Sequence, residues 1–121
     1  MPADRPIIHL DIRCAELGRQ LARIKEMDEK ALQNALTVLE EQGPYAMFLY
    51  VGARHEKVAN EFQKHCVGFL REIFGEEIPQ NALQAAERLA QNLDDLLFAR
   101  DLLRTALVYA WYHFRSGEGG G

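Results

Sequence analysis

Three aspartates in the run DDLLFARD, Asp94, Asp95 and Asp101, fall within two helical turns, and Asp94 and Asp101 share a face. Carboxylates so placed can hold a magnesium ion that bridges to phosphate, the chemistry of nucleotide pyrophosphate hydrolysis. An all-helical enzyme of that kind also needs a Glu-x-x-Glu helix followed by a Glu-x-x-Asp helix. Glu26-Met27-Asp28-Glu29 supplies the first only across a predicted helix cap, and the second is absent. Arg100 and Arg104 flank Asp101 at helical pairing distances, so the ordinary reading is a solvated face laced with ion pairs. The histidines offer less. His9, His55, His65 and His113 are scattered, no Glu-x-x-His pair suggests a di-iron site, and His55-Glu56 lacks the second histidine of a zinc-protease helix. Glu61 and His65 stand one turn apart and would serve a metal or a proton relay only with a third ligand from elsewhere. Thr37, Thr105 and Ser116 have no glycine-rich elbow, and no glycine run forms a phosphate loop. The sequence therefore predicts no catalytic residue, metal or cofactor.

Basic residues are more informative. Lys57, Lys64 and Arg71 recur every seven residues, a spacing that drifts only about 20° around a helix, so they form a stripe. Arg54 joins it if that helix starts early enough. Gly68 lies within the stripe, where a backbone can approach closely, and Glu61 dilutes its field. Such a row can follow phosphates; its bland alternative is a solvated face opposite the core. Arg19 with Arg23, and Arg100 with Arg104, are two further one-turn pairs, and ten of the 14 basic residues are arginine, which suits bidentate phosphate contacts. At the end of the last helix Tyr109, Trp111, Tyr112 and Phe114 gather around His113 and Arg115. Neighbouring helical residues point about 100° apart, so Tyr109 or Tyr112 should be partly exposed. Tyr109, Tyr112 and Arg115 are candidate anchors for a protein partner, a reading preferred here to base stacking.

The elements that carry these residues are helical throughout. Leu10, Cys14, Leu17, Leu21 and Ile24 alternate spacings of four and three and predict an amphipathic first helix. Asp28 is a candidate N-cap for a second helix, stopped by Gly43 and Pro44. Pro44 can open a third, YAMFLYV, apolar on all sides and therefore expected at the centre of the core. A kink or break is expected at Gly52, before a fourth helix running to Gly75. GEEIPQN reads as a loop in which Pro79 can open a new helix, and Ala82 to Phe114 as one long helix or two joined near Asn92 and Asp94. No segment offers a strand to pair with. The expected fold is an all-α, compact bundle of five or six helices, one domain over 1–115 followed by a flexible glycine-rich tail, 116–121.

Composition agrees with a single domain: 121 residues, 48% hydrophobic and 26% charged. A net charge of −4 rules out a bulk polycation, so any nucleic acid must be met by a local stripe while the acidic remainder faces basic protein partners. Cys14 and Cys66 cannot build a disulfide framework or a four-cysteine zinc site and sit among apolar neighbours as small buried thiols do. The start lacks a signal-peptide core, and the longest apolar stretch, Tyr45 to Val51, is far below the roughly 20 residues that span a bilayer. The expectation is a cytoplasmic protein without membrane contact.

LQNALTVLEEQGPYAMFLYV, Leu32 to Val51, and the closing LVYAWYHFR, Leu107 to Arg115, together with chain length and helical plan, resemble the small all-helical subunits of type III CRISPR RNA-guided effector complexes. The resemblance covers most of the chain as architecture, through degenerate motifs. It implies a non-enzymatic subunit present in several copies, bracing the other protein subunits of a filament and lining the path of guide RNA and target strand. Arg19, Arg23, Arg54, Lys57, Lys64, Arg71, Arg100 and Arg104 would then touch phosphate backbones without reading sequence, since the guide carries specificity. Members of that family are often more basic than this chain. A helical adaptor docking one protein partner, and a magnesium-dependent pyrophosphatase, are the alternatives.

Overall fold

A computed structural model describes residues 5–118, and within them six α-helices pack with no strand: α1 (Arg5–Ala22), α2 (Glu29–Gln42), α3 (Pro44–Arg54), α4 (Glu56–Phe74), α5 (Ala82–Leu89) and α6 (Leu93–His113). The all-α bundle expected from the sequence is the fold observed. A single π-helical turn, Phe114–Glu118, follows α6 and includes the first three residues of the expected flexible tail. Residues 119–121 of that tail, and the first four residues of the start read for a signal peptide, lie outside the described residues.

Local chemistry sets most boundaries. α1 begins at Arg5 rather than near Leu10, because Pro6 in the first turn has its φ preset and would have no intrahelical N–H partner there anyway. It ends at Ala22, and the turn that follows tucks Ile24 and Met27 into the core while Glu26 adopts a left-handed φ of 69°. Asp28 caps α2, its side chain accepting from the Ala31 N–H at 2.7 Å. Gly43 and Gly75 end α2 and α4 with φ of 96° and 112°, a region L-residues with a Cβ avoid. Asn81 and Asn92 cap α5 and α6, so the last segment is two helices, and α5 starts after Asn81 rather than at Pro79.

Two expectations are corrected. Gly52 does not break the chain: α3 runs through it to Arg54, and the bend falls at His55, whose φ of −135° and ψ of 51° leave the helical region. Nor is α3 surrounded. It buries Pro44, Met47, Phe48 and Val51, but Tyr45 and Leu49 are exposed, so an apolar run on all sides here means one outward apolar edge.

The core draws on every helix: Leu17 and Leu21 of α1, Leu32 and Leu39 of α2, Phe48 of α3 and Phe62 of α4 in edge contact, Leu89 of α5, and Leu103 and Leu107 of α6. α1 packs closely and extensively on α6. A Cβ on Gly18 would lie 2.6 Å from Tyr109 Cβ and 2.7 Å from the Ala106 carbonyl oxygen, so only glycine permits this approach. Cys14 and Cys66 are buried as expected; burial pushes the Cys14 thiol up to about 11, and the Cys66 thiol higher still.

Candidate nucleic-acid interface

A groove of about 760 Å³ runs between α1 and α4 and reaches the loop before α5. Its cationic side chains are Arg13, Lys64 and Arg71, its acidic ones Glu61 and Glu72, and Gly68 lies in the lining with nothing within 4 Å of where a Cβ would stand. The seven-residue spacing on α4 thus brings Lys64 and Arg71 to one open surface, with a bare backbone between them.

The charges differ in how they are held. Arg13 spans from α1 to α4, donating from Nε to Glu72 at 2.7 Å and from its terminal nitrogens to Glu72 and Glu16. That contact raises the Arg13 pKa and holds the Glu72 carboxyl below the usual range, the hydrogen bond being the main cause in both. Arg71 is half-buried and donates from Nη1 to the Ile78 carbonyl at 2.8 Å, pinning the loop between α4 and α5. Lys64 is exposed and makes no ion pair among the described residues, so it is the groove cation whose charge is uncommitted. Glu61 faces His65 at 4.0 Å.

The remaining predicted contacts do not join this surface. Lys57 is exposed in the first turn of α4 and stands 3.5 Å from Glu26. Arg54 ends α3 instead of extending the α4 line, and its guanidinium lies 6.0 Å from the Tyr50 ring centroid, because the bend at His55 separates it from the stripe. Arg19, in the last turn of α1, and Arg23, in the turn after it, are exposed, each with a contact of its own, and neither lines the groove. Arg100 and Arg104 lie on α6. Contrary to the ion-pair lacing expected there, neither pairs with Asp101. Among the described residues no group of three or more His, Cys, Asp or Glu is placed to hold a metal ion, so Asp94 and Asp95 act as acidic residues in the first turn of α6, where they suit the helix dipole.

The aromatic end of α6 is largely occupied from within. Tyr109 donates its hydroxyl proton to Asp11 across 3.2 Å, and that carboxylate's charge raises the phenol's pKa. Trp111 donates from Nε1 to Glu29 at 3.1 Å, Arg115 donates to the same carboxylate at 3.2 Å, and the Arg115 guanidinium lies 5.7 Å from the Trp111 ring centroid. Tyr112 alone of the three candidate anchors has a large exposed aromatic surface without a hydrogen bond, at 57%. Gly18 and Glu29 are the residues the sequence reading missed. A glycine inside an otherwise regular helical pattern signals close packing; nothing local marks Glu29, whose partners lie 82 and 86 residues away.

Among the described residues no helix is long and apolar enough to cross a membrane. No protein-family model, characterised protein or solved structure matches the chain.

Proposed function

We propose that this chain is a non-catalytic small subunit of a type III CRISPR ribonucleoprotein effector complex, bracing its protein neighbours and lining the guide RNA and target strand path through sequence-independent backbone contacts. The observation that carries the reading is the α1–α4 groove, in which Lys64, Gly68 and Arg71 stand in a row on one open surface. Phosphate contact of this kind needs a cation that reaches and a backbone that yields space, and Lys64 beside Gly68 offers both. Arg71 shapes the groove by holding Ile78 and contributes its remaining nitrogens. The resemblance of Leu32–Val51 and Leu107–Arg115 supports the assembly half of the proposal, as those segments belong to the α2–α3 pair and to the end of α6 with the start of the turn after it.

Affinity purification of the tagged chain from its own host tests it. Recovery with large RNA-binding subunits and short guide RNAs is the expected result, and recovery free of nucleic acid overturns the proposal. Lys64→Glu should lower RNA retention with helicity intact, and each lost phosphate contact should shallow the log–log salt dependence by about one unit. Unchanged retention would remove the groove from the path. Arg71→Glu is the poorer variant, because it also releases the loop.

An adaptor that docks one protein partner is the second reading, favoured by the apolar residues that α6 turns outward, Leu93, Leu97, Phe98 and Tyr112.

A further inference from the structure

The outward face of α6 is its own complement. Leu93, Leu97, Asp101, Arg104, Val108 and Tyr112 run along one side at spacings of four, four, three, four and four, while Ala99, Leu102, Leu103, Ala106, Leu107 and Ala110 enter the core from the other. Three of the seven large exposed hydrophobics among the described residues, Leu93, Leu97 and Tyr112, stand on this line, with Leu93 the most exposed at 67%, while a fourth on the helix, Phe98, packs edge-on against Phe74 of α4. A helix apolar on two sides needs a second partner for the side the core does not take. The spacing is symmetric about the point midway between Asp101 and Arg104, and the two charges that flank that point are opposite in sign and unpaired with each other.

We propose that the outward face of α6 is a self-association surface, on which two copies of this chain pair antiparallel across a two-fold axis between Asp101 and Arg104. Such an axis sets Leu93 against Tyr112 of the second copy and Leu97 against Val108, and it sets Asp101 against Arg104 twice, once on each side. An off-register pairing would lose both ion pairs and face charge with leucine. This charge complementarity selects a second copy over an unrelated partner, because every group on the line finds its match in the same sequence reversed. The face is separate from the α1–α4 groove, and the inference stands or falls without nucleic acid. A single helix pair about 31 Å long is a small interface, so association belongs in the micromolar range.

Sedimentation equilibrium of the purified, nucleic-acid-free chain, from a few to several hundred micromolar, reads the association directly. A monomer–dimer equilibrium is expected. Asp101→Arg and Arg104→Asp, both at exposed sites, should each weaken it by about tenfold or more, since each places like charges across the axis twice, and the double exchange Asp101→Arg with Arg104→Asp should restore it to within a few-fold. Circular dichroism confirms that each variant folds. A monomer at every concentration overturns the proposal and leaves the face to a different protein; a dimer indifferent to single reversal, or not rescued by the double exchange, overturns the antiparallel register.

Discussion

Glu29 shows how a residue that looks like surface can tie a bundle together. It stands in the first turn of α2, where a carboxylate complements the helix dipole, and its two oxygens also receive Trp111 from the end of α6, Arg115 from the π-helical turn after it and Gln33 from its own helix. Glu29→Ala should therefore destabilise by about 1–2 kcal/mol, more than an exposed helical glutamate ordinarily would, because it also leaves the half-buried Trp111 N–H without its partner. Urea unfolding followed by tryptophan fluorescence checks this, and an unchanged midpoint would show the contact to be incidental. The same geometry changes the meaning of Arg115. Helical spacing put it among candidate docking residues, and its partner could not be read from spacing, which fixes the direction a side chain leaves its helix but not what stands opposite. Arg71 repeats the lesson: it lies where the seven-residue stripe puts it, yet its guanidinium turns to the Ile78 carbonyl.

At the scale of elements, residues that end or begin helices were the legible part. Asp28, Gly43, Pro44 and Gly75 act through local backbone chemistry, and the structure uses each as its type requires. Gly52 carries no break because a glycine only permits one; the backbone leaves the helix three residues later, at His55. The packing of one element on another was less legible, and Gly18 is the clearest case. Gly18→Ala should cost about 2–3 kcal/mol, since the added Cβ meets the backbone of α6 and that helix cannot retreat without opening the core. Gly68→Ala should do the reverse, gaining about 0.5–1 kcal/mol from an exposed helical site with open space above it. Thermal unfolding of the two variants separates a glycine kept for contact between helices from one that folding does not need. A stability gain at Gly68 would leave close approach of a ligand as the reason to keep glycine there.

For the molecule as a whole, titratable groups where α1 meets its neighbours bound the stable pH range at both ends. Glu72, held by Arg13, titrates lower in the folded chain than in the unfolded one. Its contribution is present above the ordinary glutamate pKa of about 4.3 and is lost as pH falls through the lowered native value. Cys14 works at the other limb: burial raises it to about 11, so its contribution is full below the unfolded thiol pKa of about 8.5 and is lost as pH climbs toward that raised value. Stability should form a dome, with Arg13→Gln flattening the acid side and Cys14→Ala the alkaline side, as urea midpoints collected across pH would register. An acid limb unaltered in Arg13→Gln would place the acid sensitivity in other carboxylates. Helical class and element order were open to sequence reasoning because they follow from periodicity and end signals. The groove and the outward line on α6 were visible only as unconnected pieces, since a surface is made when separate faces are set side by side.

The tight seat of α1 against α6 at Gly18 has a further consequence for how the chain is made. A ribosome delivers α1 before Tyr109, so the side of α1 that seats on α6 must wait, unmatched, while α2 to α5 emerge. During synthesis the nascent helix pairs have each other but not their lid, and Leu17 and Leu21 stay available to a chaperone until the final turns leave the exit tunnel. Pausing anywhere after α1 has emerged and before α6 is complete would lengthen that exposure, whereas pausing within the codons for α1 itself would not.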